Sequence, residues 1–378
     1  MNRCRLCIMP DTRPDTHFVD GICSACISYA KRQSIDWASR RNALLQLLET
    51  TPRNGSGYDC IVPSSGGKDS TWQVLQLLNL GARPLVVTAT TCHETTIGRQ
   101  NIENLARLAT TLQYRTNRSV RARLNRAGLE LVGDISWPEH VAIFTTPFHA
   151  ALATGIPLIF YGENPQEAYG GPPGADDALE MTRRWVSEFG GFLGLRPADL
   201  VGQYGLSERD LEDYMPPPAE AIERLQVRAY FLGQFLYWDS HRNAADAFTA
   251  GMRVPDEPPS RANLWDFENL DNAQTGLHDY SMFRKYGYGR AAAQASVDVR
   301  AGLMTREQAV SVAHARDGRW PFPYMGETEE DVLDPLGLTA DQVMSTLARF
   351  TDSTLVRGRG ARIGTDWHPN DMIAADLA

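Results

Sequence analysis

Short apolar runs at 59–63, 84–89 and 157–162 alternate with amphipathic stretches at 98–112, 120–132 and 139–153. The runs have strand length and the stretches repeat their apolar positions at the helical period, which predicts strands separated by helices. Alternation of this kind builds an α/β fold with an open, mostly parallel sheet. Ahead of it, 37–49 reads as a helix, joined to the first strand by a Pro/Gly/Ser link at 51–57. Beyond it, glycines at 170–174 and prolines at 216–218 bracket a segment of mixed pattern, expected to form an insertion or lid. Residues 219–237 read as one long amphipathic helix whose aromatic side chains pack in the core. Thr305 and Gln308 have the spacing of a capping box, opening a helix that should stop near Asp317-Gly318. The expected organisation is a cysteine module plus helix (1–50), an α/β domain (51–218) and a mostly helical region (219–378). No internal repeat interrupts this order.

Composition narrows the class only a little. Of 378 residues, 43% are hydrophobic and 22% charged, as in ordinary globular enzymes. The apolar run at 156–161 is too short to span a bilayer, and no apolar stretch of signal-peptide kind opens the chain. A cytoplasmic location and no membrane association are therefore expected. The net charge of −9 argues against a broad nucleic-acid footprint, which needs a basic face.

Cysteine spacing changes the picture more. Cys4, Cys7, Cys23 and Cys26 form two C-x2-C pairs, the spacing of a four-cysteine zinc site. Pro10, Pro14, Asp20 and Gly21 supply turns between them, leaving room for a hairpin around Phe18. Four protein ligands leave no open coordination position, so Zn²⁺ here would be structural. A segment this short has little core of its own and needs such a staple. Cys60 falls within an expected strand and reads as a small buried hydrophobe. Cys92 and His93 follow a strand end, where they would either line a site or fill space.

The first strand runs into Ser64-Ser65-Gly66-Gly67-Lys68-Asp69-Ser70 and then into a helical pattern. Paired glycines let backbone N–H groups crowd round an anion, and the helix N-terminus adds its dipole. Ser65 and Ser70 can donate hydroxyls to phosphate, Lys68 can neutralise charge and Asp69 can hold Mg²⁺. The spacing fits neither a Walker A loop nor a dinucleotide loop. Ser65 to Ser70 instead matches the SGGxDS signature of the ATP pyrophosphatase (PP-loop) superfamily, placed as there between first strand and first helix. Ligands of open α/β sheets sit beyond the carboxyl ends of the strands. That position makes Glu163 and Asn164 candidates beside the loop. Further on, Lys285, Tyr288 and Arg290 lie in a stretch of basic, aromatic and glycine residues. Such a stretch suits an anionic ligand with a stackable ring, and equally a solvated basic face.

Taken in order, these pieces resemble the N-acetyl sugar amidotransferases of bacterial surface-glycan pathways. The resemblance is carried by the two cysteine pairs, Ile35-Asp36-Trp37, the SGGKDS loop, the run 98–105, the strand 156–164 and Tyr237-Trp238-Asp239. It continues through 285–291, Asp298-Val299-Arg300 and Arg306-Glu307, so that it spans residues 4 to 318. The stretches 90–96 and 255–263 depart from the family's pattern. The resemblance implies an adenine nucleotide alpha hydrolase fold with a zinc-ribbon-like module and a helical C-terminal region. It implies conversion of an acetamido group to an acetamidino group, with ATP cleaved to AMP and pyrophosphate. Ser65, Gly66, Gly67, Lys68, Asp69 and Ser70 would then bind ATP, with Lys68, Asp69 and Glu163 catalytic and Mg²⁺ as cofactor. Asn164, Lys285, Tyr288 and Arg290 would contact the sugar, and a glutaminase with an ammonia channel would be the partner. The alternatives are a PP-loop sulfur transferase acting on tRNA or a small molecule, and an amidotransferase with a non-sugar acceptor.

Overall fold

The computed structural model describes residues 1–174, 179–358 and 368–377. Its N-terminal module is a short hairpin, β1 (Phe18–Val19) and β2 (Ile22–Cys23), leading straight into the helix Ser24–Arg32. The centre is a parallel sheet of β3 (Cys60–Pro63), β4 (Pro84–Ala89), β5 (Thr110–Tyr114), β6 (Leu158–Tyr161) and β7 (Arg228–Phe231). Their spatial order is β5-β4-β3-β6-β7. The chain therefore grows outward on one side from β3, then returns to grow on the other. The crevice where the direction reverses, between β3 and β6, is where such sheets bind ligands.

Successive strand residues point to opposite faces, and both faces are apolar. Val62, Val86, Phe160 and Tyr230 pack on one side with Trp72, Val74 and Leu77 of the helix Lys68–Asn79. Ile61, Leu85, Val87, Ile159 and Phe231 pack on the other with Ala150, Ala151 and Trp185. A sheet covered on both faces explains why its strands read as continuous apolar runs.

Two elements differ from the sequence expectation. The stretch 98–112 is not one helix: it holds the helix Thr96–Leu105 and then the edge strand β5. None of the five β5 residues is buried, so no burial pattern marks the strand, and pairing to β4 alone defines it. The stretch 219–237 is likewise a short helix, Ala219–Leu225, followed by β7. Gln226 adopts a left-handed φ of 57° and ends the helix, and Val227, Tyr230 and Phe231 favour the extended chain. The outer edge of β7 is covered by residues 179–181, whose Met181 N–H donates to the Ala229 carbonyl at 2.8 Å. The sheet thus runs past the expected domain end at 218. Other expectations hold closely, including the helices Trp37–Thr50, Arg118–Val132 and Trp137–Thr154 and the Thr305/Gln308 capping box.

The segment 179–218 consists of short helical turns, among them Arg183–Phe189. The C-terminal helices Thr275–Tyr286, Arg290–Arg300 and Arg306–Arg316 pack on one another and carry the N-terminal module. Ala292, Ala293, Ala295, Ala309 and Ala313 form a flat apolar floor on which Cys4, Cys7, Ile8 and Met9 rest. Arg306 Nε donates to the Cys4 and Cys7 carbonyls at 3.2 and 3.1 Å, and Arg3 pairs with Asp376. The cysteine module is therefore clamped by the far end of the chain. Gly98 marks another tight approach: a Cβ there would stand 2.6 Å from Asp271 Cα, so Gly98→Ala should cost about 1–3 kcal/mol in denaturant melts. Among the described residues no helix is long and apolar enough to cross a membrane.

Candidate active site

The carboxyl ends of β3, β4 and β6 open into one cavity of about 490 Å³, lined by Ser65, Gly67, Lys68, Asp69, Ala89, Gly162 and Glu163. The loop after β3 is shaped by its own hydrogen bonds. Ser64 Oγ accepts the Gly66 N–H at 3.0 Å and donates to Ser70 Oγ at 2.8 Å. Gly66 has a left-handed φ of +81°, and a Cβ on it would meet the Ile102 nitrogen at 2.8 Å. No side chain fits there, which lets the loop backbone pack directly on the helix Thr96–Leu105. Gly66→Ala should therefore deform the loop, raising the KM for ATP about tenfold or more in steady-state assays.

Lys68 opens the helix Lys68–Asn79 and is almost wholly buried. Its ammonium pairs with Asp69 and, at 3.2 Å, with Glu268 Oε1. Burial alone would lower its pKa, but Asp69, Glu268 and Glu163 outweigh burial and hold it above the usual lysine range. Gln294 Nε2 donates to the other Glu268 oxygen at 2.8 Å, and Asn243 Nδ2 donates to Asp69 Oδ1 at 3.1 Å. Glu163 is pushed up to about 8 by burial and by the neighbouring Asp69 and Glu268 charges. Three carboxylates thus crowd one ammonium, a set that a divalent cation would relieve.

Arg290 lines the same cavity and is held by Asp279, with Nη2 to Oδ1 at 2.7 Å and Nε to both oxygens. Its helix is anchored by Asp317, which accepts the Gly289 and Ala292 N–H groups at 2.9 and 3.2 Å. The deeper end of the cavity is polar. Arg121 Nη1 donates to Glu139 Oε1 at 3.0 Å, and Asn125 and Gln274 donate to the other Glu139 oxygen at 2.7 and 3.2 Å. Beside them His278 Nδ1 lies 2.9 Å from Asp134 Oδ1, and His140 Nδ1 lies 3.3 Å from Asp134 Oδ2.

Of the residues expected from sequence, Ser65, Gly67, Lys68, Asp69, Ser70, Glu163 and Arg290 line the cavity, while Gly66 packs against the backbone of the helix Thr96–Leu105. Three others do not line it either. Asn164 turns back on the chain, accepting the Gln166 N–H at 3.0 Å to cap the helix Pro165–Tyr169. Lys285 donates to the Val132 carbonyl at 2.6 Å and lies over the Phe350 ring. It stands seven residues beyond His278 on the helix Thr275–Tyr286, about 10 Å farther along. Tyr288 is buried against the cysteine module. Cys92 and His93 are also outside, and burial pushes the Cys92 thiol up to about 11 and His93 down to about 4. Sequence reasoning missed Glu268, Asn243, Gln294, Glu139 and the Asp134 cluster. Each is a polar residue in a helix or loop distant in sequence, and only folding brings it to the strand ends.

The four N-terminal thiols converge. All four sulfurs lie within 4.8 Å of one another, with Cys4–Cys26 at 3.8 Å and Cys7–Cys23 at 3.6 Å. A tetrahedral ion with sulfur ligands at about 2.3 Å requires sulfur separations of about 3.8 Å. The buried set fits one metal ion.

A five-stranded parallel sheet with the SGGKDS loop at its switch point defines an α/β fold of the PP-loop ATPase type. Residues 260–358 match the family described as "LPS biosynthesis protein WbpG-like, C-terminal domain". That match agrees with the resemblance drawn from the motifs, and it covers Glu268, His278, Asp279 and Arg290 of the site. No curated protein matches the chain. Among solved structures, the NMN synthetase from Francisella tularensis aligns at 13% identity over 60% of this chain and 99% of that one, with a TM-score of 0.27. A likeness so distant carries no argument about the reaction.

Proposed function

We propose that this protein is an ATP-dependent amidotransferase of surface-glycan biosynthesis, acting on the acetamido group of a nucleotide-linked N-acetyl sugar. The observation that carries the reading is the pairing of a PP-loop and buried Lys68 with Glu268 and Arg290, which lie in the segment of WbpG-like type. ATP would lie with its phosphates over Ser65, Gly67 and Ser70, beside the Lys68 ammonium. The acetamido oxygen attacks the α-phosphorus, the bond to the β-phosphate breaks, and pyrophosphate leaves toward the loop. Ammonia then forms a bond to the acetamido carbon, the bond from that carbon to the AMP oxygen breaks, and the surplus protons leave to solvent. An amide oxygen is a poor leaving group, and adenylylation makes it a good one.

Lys68 and the loop N–H groups stabilise charge on the departing pyrophosphate, where fixed donors act with most effect. Asp69 and Glu163 would hold Mg²⁺, which when bound neutralises phosphate charge and aligns the transfer. Glu268 and Asn243 fix Lys68 and Asp69 in place. Zn²⁺ in the four-cysteine site would be structural, since it sits against the C-terminal helices and away from the cavity. A glutaminase with an ammonia channel is the expected nitrogen source, and the cytoplasm, where ATP and nucleotide sugars are available, the expected location. Sulfur transfer finds less support: among the described residues no cysteine lines the cavity.

The test is incubation with ATP, Mg²⁺, an ammonium salt and a panel of nucleotide-linked N-acetyl sugars. AMP formation dependent on one sugar, with oxygen replaced by NH in the product, is expected. AMP formation with none of the panel would refute the sugar acceptor.

A further inference from the structure

A second cavity of about 410 Å³ lies behind the first. Its walls come from the cysteine module (Arg13, Pro14), the segment 179–218 (Phe189, Leu193) and the helix Thr275–Tyr286 (Met282, Tyr286). Among the described residues, two line both cavities: His140 and His278. Their rings meet edge to face, with centroids 4.9 Å apart, and both address Asp134. Asp134 is buried, and its Oδ1 also accepts the Ser136 N–H at 2.9 Å. Each histidine turns Nδ1 to the carboxylate, which leaves Nε2 of each ring for other partners. His278, hydrogen-bonded to the carboxylate, and His140, 3.3 Å from its other oxygen, thus stand where the adenylylation cavity meets a separate space.

We infer that the second cavity is the entry route for the amine nucleophile, and that His278, with the His140 ring packed against it, takes a proton from ammonium as it passes into the active site. The inference rests on the amidotransferase reading above. Ammonia attacks carbon only when unprotonated, so ammonium must lose one proton before the C–N bond forms. His278 Nε2 accepts that proton, the Asp134 carboxylate facing Nδ1 stabilises the imidazolium, and the imidazolium gives the proton up to water before the next turnover. The groups facing the pair are Asp134, Asp279, Glu139, Lys285 and Arg290. Burial would lower the His278 pKa, but Asp134 and Asp279 outweigh both burial and Arg290 and hold it above the usual histidine value. Lys285 also lines the second cavity; burial lowers it, against the pull of Asp134, and its ammonium donates to the Val132 carbonyl. The route also gives the cysteine module a task beyond packing, as one wall of the entrance.

The test uses the full chain with MgATP, labelled pyrophosphate, the sugar that supports ATP–pyrophosphate exchange, and ammonium chloride. Ser187 is exposed and lines the second cavity, so Ser187→Trp should fold and narrow the entrance. Sugar-dependent exchange, which uses no amine, should stay within about twofold of wild type, while the KM for ammonium rises about tenfold or more. His278→Gln should slow amidine formation about a hundredfold at neutral pH, with the deficit shrinking as rising pH supplies free ammonia. An unchanged ammonium KM in Ser187→Trp overturns the entry route, and a His278→Gln deficit independent of pH overturns the proton transfer. Wild-type protein with no sugar-dependent exchange would instead overturn the adenylylation reading, and the route with it.

Discussion

Lys68→Ala should lower the rate of pyrophosphate release about a hundredfold or more, with a smaller effect on the KM for ATP. Two separate causes act in the same direction. The ammonium is the one cation paired with both Asp69 and Glu268 at the mouth of the loop. Removing it takes away a fixed positive group where negative charge develops, which typically costs a factor of about 100 to 1,000. It also leaves Asp69, Glu163 and Glu268 without the ammonium they share, a buried arrangement that costs stability. Lys68→Arg separates the two effects: it keeps the charge but not the reach, so it should recover stability more than rate. Single-turnover measurement of pyrophosphate, with thermal melts of each variant, reads both. A near-normal rate in Lys68→Ala would remove the residue from the mechanism.

Loss of the metal from the four-cysteine site should be the largest single blow to stability. Zinc bound by such sets contributes about 10 kcal/mol or more to the folding of small modules. Here the module is not a free appendage. Its cysteines lie on the alanine floor of the helices Arg290–Arg300 and Arg306–Arg316, and Arg306 reaches two of its carbonyls. Unfolding it would uncover that floor and one wall of the second cavity. Treatment with a strong chelator, or the Cys7→Ser substitution, should lower Tm by about 10 °C or more, with loss of about one zinc per chain. Metal content by mass spectrometry and Tm by calorimetry check this. An unaltered Tm in metal-free protein would contradict the assignment.

Much of the site was legible because its chemistry is local. The loop Ser65 to Ser70 and the two cysteine pairs each carry their geometry in a few adjacent residues. The strands β3, β4 and β6 were legible because both sheet faces are buried, which writes a continuous apolar run. Strand β5 was not, since its exposed residues show no period, nor was β7, which follows directly on a helix and shares its apolar composition. The basic stretch at 285–290 shows the limit of composition. Arg290 starts a helix at the cavity wall, whereas Lys285 ends the preceding helix two turns away and Tyr288 faces the cysteine module. The contacts of Glu268 with Lys68 and of His278 with Asp134 each span more than a hundred residues of chain, which no local pattern encodes.

The central claim is that the acetamido oxygen itself is adenylylated. It is tested most directly with a substrate sugar carrying ¹⁸O in the acetamido carbonyl, followed by mass spectrometry of the AMP released. The account predicts one ¹⁸O in the AMP phosphate for each amidine formed. Unlabelled AMP, with the label kept in the sugar or lost to water, would contradict it.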